Sequence, residues 1–161
     1  MRWHHQYMLI VMGCMLLITA CTSIDCPLNN HVYTYYQVAG EETLFAGPLT
    51  ISTNRSDGSD SICINQDTYI SKFGLPISYQ GTFDTFYFVY DIDESIVDTV
   101  VVEKTDQPHF ESIECNPIFF HTIKGIEYTK NMIDSITIKD AQVTYDTTKV
   151  HFNIYFKNSN Y

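Results

Sequence analysis

Beyond its N-terminal segment, this 161-residue chain carries four histidines that could transfer protons or ligate a metal: His31, His109, His121 and His151. No two stand at His-x-x-x-His or Cys-x-x-Cys spacing, which sets two donors on one ion, so structural histidines are expected. His109 and His121 flank one loop, and strands on either side could bring them together; they are the pair a metal-dependent hydrolase would use. Carboxylates gather in Asp91-Ile92-Asp93-Glu94 and around Asp57 and Asp60. Neither group has the oxygen spacing of a calcium loop, so solvated acidic turns are expected. The chain has no Gly-x-Ser-x-Gly elbow, phosphate-cradling glycine loop or dinucleotide fingerprint. No catalytic residue, metal ligand or cofactor is therefore expected. Tyr33, Tyr35 and Tyr36 could stack on sugar rings or anchor a partner. In a strand, Tyr33 and Tyr35 share one face and Tyr36 takes the other, so at least one side is expected in the core.

The cysteines are more informative, beginning with Cys21. Residues 1–7 hold Arg2 and two His with no acid, and Met8–Ala20 follow with Thr19 as the only clearly polar side chain. As a helix that apolar run reaches roughly 20 Å, short of the roughly 30 Å hydrocarbon core, so it reads as a secretory signal. Its end, Ile18-Thr19-Ala20-Cys21, resembles the bacterial lipobox, in which an aliphatic and two small residues precede a lipid-bearing Cys. The resemblance implies cleavage between Ala20 and Cys21 and diacylglycerol on the Cys21 thiol. A plain signal peptide or an uncleaved anchor is the alternative. On the lipobox reading, residues 1–20 are the signal, 21–30 a lipid-bearing tether and 31–161 a single domain. Thr22, where an Asp would favour inner-membrane retention, directs the expectation to the outer membrane with either leaflet open.

Charge agrees with a membrane attachment made by lipid. Nine Lys+Arg face nineteen Asp+Glu, a formal charge of -10. Losing Arg2 with the signal makes it -11. Nucleic acid and anionic lipid both reward clustered cations, so neither is an expected partner. Acyl chains would hold the protein to the membrane instead.

Cys14 leaves with the signal and Cys21 takes lipid, which leaves Cys26, Cys63 and Cys115 for an oxidising compartment. Cys63 lies in the strand-like run Ser61-Ile62-Cys63-Ile64 and suits a small buried apolar role. Cys26 and Cys115 each precede a proline-containing segment, in loops that could meet at one end of a sandwich. A Cys26–Cys115 disulfide is expected; three reduced thiols are the alternative.

The elements that must position these groups read as strands. Aromatics reach 14% and charged residues only 17%, too apolar for a disordered chain. Runs rich in Val, Ile, Thr, Tyr and Phe recur at 31–38, 46–53, 60–66, 83–91, 96–104, 118–128, 133–139 and 149–157, with a shorter piece near 108–113. In the run from Val150, Phe152, Ile154 and Phe156 face one way, and His151, Asn153 and Lys157 the other. Phe86-Tyr87-Phe88-Val89-Tyr90 is apolar on both faces and suits an inner strand. Asp57-Gly58 marks a hairpin between two runs. About eight or nine strands with turn residues between them predict an all-β, antiparallel β-sandwich of immunoglobulin-like type.

Several ordered motifs resemble one family. They are Asp25-Cys26-Pro27-Leu28-Asn29-Asn30, Pro108-His109-Phe110-Glu111-Ser112 with Cys115, Phe120-His121, Ile133-Asp134-Ser135-Ile136-Thr137-Ile138, Val143-Thr144-Tyr145-Asp146 and Ile154-Tyr155-Phe156. Together they resemble uncharacterised predicted lipoproteins of the Bacteroidetes, a domain of unknown function. The resemblance implies a secreted lipoprotein with a Cys pair near the two ends of the core, and no assigned activity. Asp60-Ser61-Ile62, Asp98-Thr99-Val100, Asp134-Ser135-Ile136 and Asp146-Thr147-Thr148 also fit the Asp-[Ser/Thr]-aliphatic pattern of O-glycosylation in that group. The leading expectation is a non-enzymatic, lipid-anchored envelope protein that serves as an interaction or structural module, with a protein or glycan ligand. A carbohydrate-binding accessory lipoprotein and a small metal-dependent envelope hydrolase are the other two.

Overall fold

In the computed structural model, the described residues are 3, 26, 32–54, 60–90 and 95–157. The lipobox-like segment with Cys21, His31, the Asp57-Gly58 turn and Asp91–Glu94 lie outside them.

Among the described residues ten strands form: β1 (Tyr33–Val38), β2 (Leu49–Asn54), β3 (Asp60–Asp67), β4 (Lys72–Pro76), β5 (Phe83–Val89), β6 (Val97–His109), β7 (Ile118–Tyr128), β8 (Ile133–Ile138), β9 (Gln142–Val143) and β10 (Phe152–Phe156). They make a four-stranded sheet, β4-β1-β10-β8, and a six-stranded sheet, β3-β2-β5-β6-β7-β9. All pairings are antiparallel except β1 with β10. The two-layered, antiparallel-rich sandwich expected from the alternating runs is thus what the chain forms. Immunoglobulin constant domains order their strands ABED and CFG. Here the first and last strands instead lie side by side at the centre of the smaller sheet.

The core is built from the inward residues of both sheets. Tyr36 is fully buried, its ring stacked 5.0 Å from Phe73 and 4.7 Å from Phe152, with Phe88 of the facing sheet edge-on at 6.5 Å. Tyr33 and Tyr35 take the other face of β1: Tyr33 is exposed, and Tyr35 lies 6.0 Å from the His151 ring. β5 is an inner strand between β2 and β6, as its apolar run requires, with Phe86 and Phe88 buried.

Two strands escape a reading by composition. β4 holds Gly74 and Pro76, residues that ordinarily signal a turn. Proline is tolerated because β4 is an edge strand and Pro76 its last residue. Glycine is needed because a Cβ at position 74 would sit 2.9 Å from the Tyr35 ring. β9 is two residues long and exists only by pairing with His121 and Thr122 of β7. Of the separate piece near 108–113, only Pro108 and His109 are strand, as the end of β6, which runs thirteen residues; 110–113 lie in the loop that follows. His151 takes the face opposite Phe152, beside Tyr35, as the alternation predicts. It lies just before β10 and is buried, where its Nδ1 accepts the Tyr35 N–H at 2.9 Å and its backbone N–H donates to Tyr35 O at 2.8 Å.

The short connections define two poles. The 77–82 loop joins β4 to β5 and the 110–117 loop joins β6 to β7 at one pole. There Cys26 is bonded to Cys115, with Cα atoms 5.5 Å apart. The expected disulfide is present. At the opposite pole lie the 39–48 connection and the 129–132 turn. Asp98, on β6, fastens that turn: its buried carboxylate accepts from Thr129 Oγ1 and the N–H groups of Asn131, Met132 and Ile133.

Candidate functional site

Two places gather polar chemistry, one at each pole. At the disulfide pole, Lys104, Asp106, His121 and Asp84 form an inward cluster. β5 begins at Phe83, opposite Glu103, so from Lys104 onward β6 pairs only with β7, and a register shift at Glu103/Lys104 sets the two strands there. Lys104 and Asp106 are two residues apart on one face, and Asp106 stands directly opposite His121. Asp106 Oδ1 accepts from Lys104 Nζ at 2.7 Å and from His121 Nδ1 at 2.8 Å. Lys104, 1% exposed, also donates to Gly81 O at 3.0 Å and lies 3.9 Å from Asp84. Asp84 in turn accepts the Ser78 N–H at 3.2 Å.

An Asp–His pair beside a lysine could in principle run acid–base chemistry. Here its geometry is that of a brace, with Lys104 and His121 buried and Asp106 partly exposed. His121 is buried, and its Nδ1–H is committed to Asp106. Burial pulls its pKa below the usual histidine value, against the opposing pull of Asp106, so the ring is neutral at neutral pH. Burial would raise the Asp106 carboxyl, but hydrogen bonds from Lys104 and His121 hold it below the ordinary carboxylate range.

The disposition of the strands overturns the expectation that His109 and His121 could share a metal. His109 pairs with Ile118 and His121 with Asp106, three positions apart on β6, so their side chains take opposite faces. His109 instead stacks on Phe120 at 4.5 Å, with Tyr145 edge-on to Phe120 at 4.7 Å. Among the described residues, no group of three or more His, Cys, Asp or Glu is placed to hold a metal ion.

These histidines set a pH dependence. Burial lowers His151 as it does His121, and protonating Nδ1 of His151 would also forfeit its bond from the Tyr35 N–H. A group with a depressed folded pKa binds fewer protons in the native state than when unfolded. Stability should therefore be level above about pH 7 and decline as pH falls through the unfolded histidine value of about 6.5. Urea midpoints read across this range would check it; a flat profile from pH 7 to 5 would contradict it.

At the opposite pole a groove of about 410 Å³ opens between the 38–44 segment, Asp134 and the end of β10. Tyr155 lines it, with Glu41, Glu42 and Asp134 at its polar positions. Gly40 has φ of 116°, in the region that disfavours side chains, and a Cβ there would sit 3.3 Å from the Tyr155 ring. Lys157 also lines the groove, but its ammonium donates to the carbonyls of Lys130 and Asn131. The groove is therefore aromatic and acidic, suited to hydroxyl-rich or cationic groups. Ala39-Gly40-Glu41-Glu42 reads in sequence as a turn, and nothing local ties it to Tyr155.

The other sequence motifs separate by burial. Asp98-Thr99-Val100 is structural, since Asp98 is enclosed by its four donors. Asp146-Thr147-Thr148 forms an exposed turn in which Asp146 accepts from the Thr148 N–H and hydroxyl. Cys63 is a free, half-buried thiol whose pKa burial pushes up, which makes it a poor nucleophile.

Residues 48–156 match the profile of DUF6452, a family of unknown function. The chain belongs to the DUF6452 family. No curated protein and no solved structure matches it. The DUF6452 span begins at Pro48, just before β2, and ends at Phe156, the last residue of β10. It takes in the Lys104–Asp106–His121 brace, the Asp98 anchor and Cys115, but not β1, Gly40 or Cys26.

Proposed function

We propose that this DUF6452 protein is a lipid-anchored component of the bacterial cell envelope. In this reading it is held in the outer membrane by acyl chains on Cys21 and uses its sandwich as a non-enzymatic interaction or structural module. The proposal extends to the family as one of Bacteroidetes lipoproteins. The observation that carries it is the Cys26–Cys115 disulfide, which suits an oxidising compartment and begins five residues after Cys21 of the lipobox-like Ile18-Thr19-Ala20-Cys21. The net charge of -10 supports attachment by lipid over adsorption to anionic headgroups. A ligand of protein or glycan class would meet the groove at the far pole. That groove, with Tyr155 beside three carboxylates, also favours a second reading as a carbohydrate-binding accessory lipoprotein.

The anchor is tested by feeding labelled palmitate to cells that express the full chain. Label should enter the wild type and be lost in Cys21→Ser. Wild-type protein without label would end the proposal.

A further inference from the structure

The exposed apolar side chains are not spread evenly. Among the described residues, Tyr33, Tyr79, Phe83, Phe110, Ile113 and Tyr145 are exposed at the disulfide pole or on the strand ends that reach it. The opposite pole shows Leu44 and Tyr69, and Ile62 in β3 and Ile138 at the end of β8 are exposed on the sheets. Ile113, 99% exposed, and Phe110, 61% exposed, belong to the loop that contains Cys115. Solvated loops seldom hold up an isoleucine and a phenylalanine so fully, and such a patch ordinarily marks a contact surface.

Chain length says what the contact is. Cys26 is bonded to Cys115, and only five residue steps separate it from Cys21. Fully extended, those steps reach about 18 Å. Ile113 lies two residues from Cys115. Once Cys21 carries lipid, the 110–115 loop cannot leave the neighbourhood of the leaflet that holds the acyl chains. We infer that this pole is seated on that leaflet, with Phe110 and Ile113 dipping into the boundary between headgroups and acyl chains. The inference rests on the lipid-anchor reading and adds an orientation to it.

Aromatic residues favour this boundary because one end of the ring is apolar and the other can stay wet. Tyr145 has that form: its hydroxyl donates to Glu111 Oε1 at 2.9 Å while its ring packs on Phe120. Glu111 and Glu114 border the tip, so the matching surface is zwitterionic lipid and not an anionic one. Seated this way, the sandwich holds the Tyr155 groove at the pole turned away from the membrane, open to what approaches.

The only tryptophan, Trp3, lies in the segment the anchor reading removes, so one introduced indole can report position. In a Trp3→Phe background, Ile113→Trp and Tyr69→Trp place it at the two poles, both at exposed sites where the fold should tolerate it. The lipidated proteins are reconstituted in phosphatidylcholine vesicles with and without brominated acyl chains. Ile113→Trp should shift to the blue, lose most of its emission to the bromolipid and resist aqueous acrylamide. Tyr69→Trp should remain open to acrylamide and indifferent to bromine. If palmitate labelling succeeds and both indoles behave as Tyr69→Trp should, the seating is wrong and the anchor stands. An Ile113→Trp shielded from acrylamide but untouched by bromolipid would mean a protein partner or second copy covers the loop, which also overturns the seating. Failure of palmitate labelling overturns both.

Discussion

Cys115→Ser should lower the unfolding free energy by about 4–5 kcal/mol. The bond joins residues 89 apart in sequence, so its loss frees most of the chain in the unfolded state. Ordinary domains are stable by only about 5–15 kcal/mol, so the variant would be close to unfolding at ambient temperature. Cys26→Ser opens the same loop and should cost nearly as much, and the double variant should add little to either. Urea denaturation of residues 21–161 reads all three. Reducing agent should bring the wild type down to the variants and leave the variants unmoved. A wild-type loss under about 1 kcal/mol on reduction would show that the unfolded chain is not held by this link.

The second large effect is at Asp98. Asp98→Ala should cost about 3–5 kcal/mol, the range for stripping a buried charged group from its partners. Its carboxylate accepts from Thr129 Oγ1 at 2.7 Å and from the N–H groups of Asn131, Met132 and Ile133 at 2.7, 2.8 and 2.9 Å. Alanine would take their carboxylate acceptor from three backbone donors at the start of β8. Asp98→Asn should fall between wild type and alanine, since an amide retains one accepting oxygen but turns N–H donors toward N–H donors. Hydrogen exchange at 131–133 should quicken in step with the urea midpoints. A loss in Asp98→Ala within about 0.5 kcal/mol of zero, the range of a neutral surface change, would show that the turn holds itself. Burial would raise the Asp98 carboxyl, yet its donors hold it below the usual value. Its contribution is therefore present above the unfolded carboxylate pKa and fades as pH falls through the lower folded one.

Asp98 also shows where sequence reading stopped short. In β6 the inward positions are Asp98, Val100, Val102, Lys104 and Asp106, so charged residues occupy places that alternation assigns to the interior. That pattern was available in the sequence as a signal of buried polar contacts. It could not name the partners: Asp98 is met by a turn more than thirty residues away, and Lys104 by Gly81 of another loop. His109 and His121 teach the same lesson in reverse. Being near one loop is not being on one face, and the pairing of β6 with β7 puts the two rings apart.

Period-two alternation, turn residues and a count of three cysteines depend only on neighbours in the chain. The sequence by itself therefore determined an all-β body and most strand positions; it made Cys26–Cys115 the expected bond with three reduced thiols still open, and the fold decided between them. β4 was hidden because Gly74 answers to the Tyr35 ring and not to its own neighbours. The tertiary structure alone decided the parallel union of β1 with β10, the brace around Asp106 and the gathering of exposed aromatics at the disulfide pole. Each of these joins residues distant in sequence, where many strand orders bury similar apolar area. Only the simultaneous packing of both sheets selects among them.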